Sequence, residues 1–122
     1  MRRFDGFDKG IYGETIAEGY LRAKGYEILK TRYRCPYGEI DLVARHGIVI
    51  VFIEVKLRKT PNTGLAAESV TLKKQRRIIH SALHYIGANT NPCETYRFDV
   101  LEVYGREFYT VRHIENAFYA DG

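Results

Sequence analysis

Long apolar runs are missing from this sequence. The longest, Ile48 to Ile53, is strand-sized, far short of the roughly 20 apolar residues that a bilayer span requires. The opening Met1-Arg2-Arg3-Phe4-Asp5-Gly6 is basic, but no apolar stretch follows it. A secretory signal is therefore not expected, and a cytoplasmic chain with no membrane partner is. Cysteine is scarce as well. Cys35 and Cys93 lie far apart with no second Cys or close His beside either, which excludes a zinc ribbon and any disulfide framework and leaves reduced thiols. Repeats, low-complexity tracts and linkers are also absent. These absences leave a single domain over residues 1–122, with 115–122 as a C-terminal tail.

What is present suits a globular fold. Hydrophobic residues make up 45% and charged residues 28%, so the chain can bury one modest core and is not expected to be disordered. The formal charge is +4, a mild excess whose placement matters more than its size. Lys73, Lys74, Arg76 and Arg77 fall within one short segment, and the carboxylates concentrate elsewhere.

Periodicity gives the element order. Ile16, Ala17, Tyr20 and Leu21 form one stripe, with Gly13 near its middle, predicting a helix from about Tyr12 to Lys24 with Gly25 as its C-cap. Tyr26–Tyr33 reads as a strand and Pro36-Tyr37-Gly38 as a turn. Glu39–Arg45 alternates as a second strand, His46-Gly47 turns, and Ile48–Arg58 is a third strand, apolar on both faces at its start and so central. Lys59–Ser69, with Pro61, Asn62 and Gly64, reads as a loop. Thr71 can N-cap a second helix with the stripe Leu72, Ile79, Leu83 and Ile86, ending near Asn89–Pro92. Tyr96–Tyr104 and Phe108–Ile114 predict a final hairpin turning near Gly105.

The chemistry concentrates on the middle hairpin. A two-residue turn at His46-Gly47 would put Asp41 opposite Phe52 and Glu39 opposite Glu54. Glu39, Asp41, Glu54 and Lys56 would then share one face. Charges alternating along a strand usually mark a solvated face. Here, however, both faces of the strand carrying Glu54 should be covered, and carboxylates gathered there repel and lose hydration. A divalent cation offsets that cost, since Mg²⁺ takes one or two carboxylates plus water and phosphate oxygens. Glu14, at the border of the first helical stripe, is on spacing alone an ordinary residue near a helix N-terminus. Asp99 points the same way as Leu101 and Val103, which suggests a structural role. The basic cluster of the second helix, with His80 and His84, is by itself a solvated face. Ten tyrosines spread along the chain are too common a signal to indicate base stacking.

Together these residues resemble the PD-(D/E)XK nuclease superfamily, whose motif is an acid on the second strand and acid-any-Lys on the third. Asp41 and Glu54-Val55-Lys56 match it, with Ile40 where the eponymous proline would stand. Glu14, with Lys9-Gly10 and Gly25-Tyr26, is similar to the helical glutamate of archaeal Holliday-junction resolvases. A closer resemblance, spanning nearly the whole chain, is to the YraN family of small bacterial predicted endonucleases. It rests on Gly13-Glu14, Lys24-Gly25-Tyr26, Tyr37-Gly38-Glu39-Ile40-Asp41-Leu42, Val51-Phe52-Ile53-Glu54-Val55-Lys56, Arg97-Phe98-Asp99-Val100 and Ile114-Glu115-Asn116-Ala117-Phe118.

The resemblance implies an α/β fold with a restriction-endonuclease-like core, α-β-β-β-α-β in order, its mixed central sheet flanked by helices. It implies a Mg²⁺- or Mn²⁺-dependent endonuclease hydrolysing phosphodiester bonds, with structured or branched DNA expected before RNA. Asp41 and Glu54 would be metal ligands with the Val55 carbonyl, and Lys56 and Glu14 would complete the catalytic set. Glu39 and Gln75 would be accessory, and Lys73, Lys74, Arg76 and Arg77 would contact nucleic acid. Resolvase-like relatives are dimers, so a homodimer is compatible, although no residue here argues for one. Two alternatives stand beside this expectation. One is a catalytically silent nucleic-acid-binding module on the same fold, acting in a DNA-processing complex. The other is an enzyme using paired acids without metal, such as a glycosidase.

Overall fold

The computed structural model describes residues 6–58, 70–89, 95–105 and 108–120, with side chains from residue 12 onward. The loop expected over Lys59–Ser69 and Cys93 lie outside the described residues. Helix α1 covers Gly6–Ala23 and is followed by three strands, β1 (Glu27–Cys35), β2 (Gly38–His46) and β3 (Val49–Arg58). Helix α2 (Leu72–Ala88) leads to β4 (Thr95–Tyr104) and β5 (Thr110–Phe118). α1 begins six residues before the expected Tyr12, because Gly6 and Gly10 weaken the helical signal there.

The C-terminus of α1 follows from Gly25, whose φ of +89° needs no Cβ-bearing residue to enter the left-handed region. The Tyr26 N–H donates to Leu21 O and the Gly25 N–H to Arg22 O, both at 3.0 Å. Tyr26 and Leu21 are buried in one core cluster, which completes the Schellman cap and turns the chain into β1.

The five strands form one mixed sheet in the order β1-β2-β3-β4-β5. β3 and β4 are parallel and the other neighbours antiparallel. The parallel pair requires a crossover, and α2 lies in that connection. Alternation along β3 separates two cores. Ile50 and Phe52 join Ile78 and Ala82 of α2 in one, while Val51 and Ile53 join Ala17 and Leu21 of α1 in the other. The central position expected for this strand is therefore observed, with a helix on each face. No helix among the described residues is long and apolar enough to cross a membrane.

Three features depart from expectation. α2 buries Ile78, Ser81 and Ala82, whereas Leu72 and Leu83, assigned to its inner stripe, are 67% and 58% exposed. Small residues at 81 and 82 let the helix approach the sheet closely, and this outweighs the greater hydrophobicity of the leucines. Secondly, β5 runs on through Phe118, so residues 115–118 are strand and not tail. Phe118 is 6% exposed and stacks on Phe98 at 5.1 Å. Thirdly, His46 pairs with Val49, so the β2–β3 turn is Gly47-Ile48, with Gly47 at φ +65°. The register moves by two residues, and the parity of the faces is unchanged.

Asp99 is structural, as its position suggested. It is fully buried and accepts two hydrogen bonds from Arg97 at 2.8 Å, one from the Asn116 N–H at 3.1 Å and a contact from His113 Nε2 at 2.7 Å. Asn116 has φ +53°, so the buried carboxylate holds the bend in β5. Desolvation opposes ionisation, but the bonds from His113, Arg97 and Asn116 outweigh it and depress the Asp99 pKa below 3.8. A depressed carboxylate pKa adds stability above its unfolded value, and that stability is lost as pH falls through the folded one. Asp99→Ala leaves the Arg97 guanidinium only Glu115 and the Tyr26 hydroxyl as partners and removes the acceptor of the Asn116 N–H. It should cost about 3 kcal/mol at neutral pH by urea denaturation. The deficit should shrink on acidification below about pH 4. A loss below about 1 kcal/mol would contradict this role.

Candidate active site

The site forms where the β2–β3 ladder ends. Backbone pairing runs from His46↔Val49 to Leu42↔Ile53. One residue beyond, the Asp41 side chain takes over and its Oδ2 accepts the Val55 N–H at 2.8 Å. The alternation of β2 breaks at the same point. Ile40 joins the α2-side core and Leu42 the α1-side core, although residues two apart in a regular strand share a face. Between the β1–β2 pairs Thr31↔Leu42 and Tyr33↔Ile40, Arg32 adopts φ +50°, a conformation that costs a non-glycine residue about 1–2 kcal/mol. Glu14 of α1 holds Arg32 there through an ion pair at 3.0 Å.

The observed register carries Asp41 toward Glu54, where the expected one carried it to Phe52. Glu54 is 4% exposed at the end of the apolar half of β3. Its charge is met by two ammonium groups, Lys56 Nζ at 3.6 Å and Lys74 Nζ from α2 in direct contact. Burial, followed by the charge of Glu54 and a hydrogen bond with it, pushes the Asp41 pKa up to about 8, against the opposing Val55 N–H. Glu14 adds a smaller push in the same direction. Lys56 moves down from 10.5, through burial and then the Lys74 charge, which together outweigh Glu54. Lys74 moves up, because its bond to Glu54 and the attraction between them exceed its own desolvation.

Asp41 and Glu54 form part of the lining of an open cleft of about 470 Å³. Gly38 and Glu39 border it on the β2 side, and Thr71, Lys73, Lys74 and Arg77 on the α2 side. Thr71 fixes the start of that wall, since its hydroxyl accepts the Lys74 N–H at 3.1 Å. Lys73 and Lys74 occupy a first turn that contains no acidic residue, where the helix dipole disfavours cations.

The expected site residues thus fall into two groups. Asp41, Glu54, Lys56 and the Val55 backbone come together, as do Lys73, Lys74 and Arg77 on the facing wall. Glu39 does not face Glu54. It pairs with Arg34 at 3.4 Å on the rim, a consequence of the shifted register. Glu14 is engaged by Arg32, and the Gln75 amide donates to Val70 O at 2.9 Å outside the cleft lining. Arg76 is exposed on α2, away from that lining.

Two features escaped the sequence reading. Lys74 is a direct partner of Glu54 and not merely part of a basic surface. Its only sequence signal was the lack of an acid in the first turn of α2. Glu102, 1% exposed, lies across from Lys56 on β4 and binds Arg58 at 3.0 Å and Arg112 at 3.4 Å. An acid inside Val100-Leu101-Glu102-Val103 carries the same signal as Glu54 and could have been found by the same argument.

The chain belongs to the family described as uncharacterised protein family UPF0102, the YraN-like group, whose model matches residues 13–103. It is 43% identical to a UPF0102 protein of Sulfurihydrogenibium sp. over 93% of this chain and 96% of the relative. Identity is 44% to the UPF0102 protein of Lachnoclostridium phytofermentans, over 93% and 95% of the two chains. The UPF0102 protein of Caldanaerobacter subterraneus subsp. tengcongensis is 43% identical over 97% of this chain and its own full length.

The raised Asp41 pKa has a stability consequence with a definite sign. The folded carboxyl binds a proton more tightly than the unfolded one, whose ordinary value is 3.8. The metal-free protein is therefore most stable below about pH 4 with respect to this group, and loses stability as pH rises toward 8. Asp41→Asn keeps an acceptor for Val55 and removes the charge. It should stabilise the metal-free protein by about 1 kcal/mol or more at pH 8, with the difference vanishing near pH 4 in thermal melts. A destabilised Asp41→Asn at pH 8 would refute the proton assignment.

Proposed function

We propose that this protein is a metal-dependent nuclease of the PD-(D/E)XK type, its sheet and helices forming a restriction-endonuclease-like core. The observation that carries this reading is the meeting of Asp41 and Glu54 at the end of the β2–β3 ladder, beside two lysines and a basic wall. Two buried carboxyl groups this close disfavour full ionisation, which is the direction in which burial and Glu54 shift Asp41.

The residues fit a small hard cation. Among the described residues no three His, Cys, Asp or Glu side chains gather. A Mg²⁺-type site needs only one or two carboxylates, with waters and substrate phosphate filling the rest. The donors are all oxygen, which suits Mg²⁺ or Mn²⁺ and not a soft metal. Asp41 and Glu54, with the Val55 carbonyl, would hold the ion, and the Lys74 ammonium marks where positive charge is favoured. When bound, such an ion supplies Lewis-acid polarisation of the phosphate and a water of lowered pKa.

Other steps belong to the protein. Lys56, with its lowered pKa, orients the attacking water or stabilises negative charge gathering on the phosphoryl oxygens. Lys74, on the cleft wall beside Glu54, would meet a non-bridging phosphate oxygen of the substrate. Glu14 acts at one remove, by holding Arg32 and with it the irregular strand that positions Asp41. The substrate is nucleic acid, because Lys73, Lys74 and Arg77 border the cleft on one side and suit a phosphate backbone; DNA before RNA rests on the resemblance to resolvase-like nucleases alone.

A second reading has an observation in its favour. Glu54 is already neutralised by Lys74, as it would be in a silent nucleic-acid-binding module built on the same fold. Cleavage assays separate the two. Incubation with single-stranded, duplex, flap and four-way DNA in Mg²⁺ or Mn²⁺ should give products. Asp41→Ala, Glu54→Ala and Lys56→Ala should each reduce the rate by at least about 100-fold, in the range seen when a transition-state stabiliser is removed. Undiminished cleavage by folded Asp41→Ala would exclude the assignment. Binding without cleavage of any substrate in either metal would favour the silent module.

A further inference from the structure

A second surface adjoins the cleft and differs from it in chemistry. Lys73, Arg77, His80 and His84 of α2 are all exposed. They are spaced four, three and four residues apart, which places them within about 60° of one another on a helix turning 100° per residue. The stripe is ordered by type. Its N-terminal half is cationic and borders the cleft, while its C-terminal half consists of rings.

The β1–β2 turn adds to the ring half. Cys35 pairs with Gly38, so Pro36 and Tyr37 form the turn, and Gly38 lies against α2. A Cβ at Gly38 would sit 3.5 Å from Ser81 Oγ and 3.8 Å from Arg77 Cβ, and its φ of +148° also favours glycine. This close seat delivers Tyr37 to the helix stripe, with ring centroids 5.7 Å from His80 and 6.2 Å from His84. Tyr33 closes the row, 5.9 Å from His84 with its hydroxyl bonded to His84 Nδ1. Tyr37 nevertheless remains 54% exposed. Core packing therefore does not account for an aromatic at this position.

We infer that Tyr37, with His80 and His84, is a stacking platform for an unpaired nucleobase of a strand whose phosphates are held by Lys73 and Arg77, so that the protein prefers single-stranded over fully paired nucleic acid. This rests on the proposed function for its substrate class and adds the strand state. Charge complementarity selects a polyanion, since α2 contains four Lys and Arg residues and no acid. Within the polyanions, the ring row selects one that can present a π-face. A base inside a duplex is stacked on its neighbours and cannot do so, whereas an unpaired base stacks on aromatic side chains irrespective of its identity. The cationic half alone would bind duplex and single strand with little discrimination.

The test is fluorescence anisotropy in EDTA, so that binding is read without cleavage. The probes are fluorescein-labelled oligodeoxythymidine and a blunt duplex of the same length. Tyr37→Ala should weaken binding of the single strand about tenfold, the loss expected for one stacked base, and leave the duplex within about twofold. Tyr37→Phe should retain the single-strand affinity, since stacking needs the ring and not the hydroxyl. His80→Ala should repeat the selective loss in smaller measure. Arg77→Ala should weaken both probes and reduce the salt slope by about 1. Equal losses on both probes for Tyr37→Ala, no loss on either, or wild-type protein that binds neither would overturn the inference. Failure of the wild type to cleave with Mg²⁺ or Mn²⁺ would instead sink the nuclease proposal and leave this binding result standing.

Discussion

Two carboxyl groups, Asp41 and Glu54, are held close to each other at the edge of a buried strand, and the surrounding structure is arranged to make that tolerable. One backbone N–H from Val55 to Asp41 and two ammonium groups on Glu54 supply the compensation, and burial beside Glu54 raises the proton affinity of Asp41. Removing both ammonium groups would leave Glu54 buried and unpaired, at a cost of several kcal/mol in a low-dielectric setting. A fold has little reason to keep such a pair for stability alone, since apolar residues of similar volume would serve that end as well or better.

The topology explains why the pair forms there. β3 is buried from Ile50 through Glu54, so the Glu54 side chain has few directions open to it. The backbone ladder with β2 stops at Leu42↔Ile53, and the gap admits the Asp41 carboxylate in place of a ladder carbonyl. The irregular backbone at Arg32, fixed by Glu14, keeps the first three strands from closing that gap. α2, returned across the sheet by the parallel β3–β4 connection, then brings Lys74 onto Glu54. Sheet, helix crossing and ion pairs converge on one point, at the edge of a solvent-open cleft.

Much of this was legible in the residues. The apolar run before Glu54 identifies a central strand, and period-two alternation places Asp41 and Glu54 on one side for a two- or four-residue turn, though not for a three-residue one. That parity survived a two-residue error in register, because the turn slid from His46-Gly47 to Gly47-Ile48 without changing its length. What parity cannot supply is the break in alternation at Asp41, which depends on a neighbouring strand and on a left-handed Arg32. The inner face of α2 was misassigned for a related reason. Hydrophobicity favours Leu72 and Leu83, while the close approach of the helix to Gly38 brings Ser81 inward. Glu39 by strand pairing and Gln75 by the family resemblance are expected near the site, but local partners, Arg34 and the Val70 carbonyl, take them instead. Long-range pairing decides such side chains, and it is invisible in a local pattern.

Titration calorimetry with Mn²⁺ tests the central claim most directly, because it asks whether the compensating protons and ammonium groups stand where an ion belongs. At pH 7, below the Asp41 value of about 8, binding should release about one proton, seen as a buffer-dependent enthalpy, and affinity should rise with pH. Asp41→Asn should bind far more weakly and release none. Absence of Mn²⁺ binding to the wild type, or equal binding by Asp41→Asn, would contradict the account.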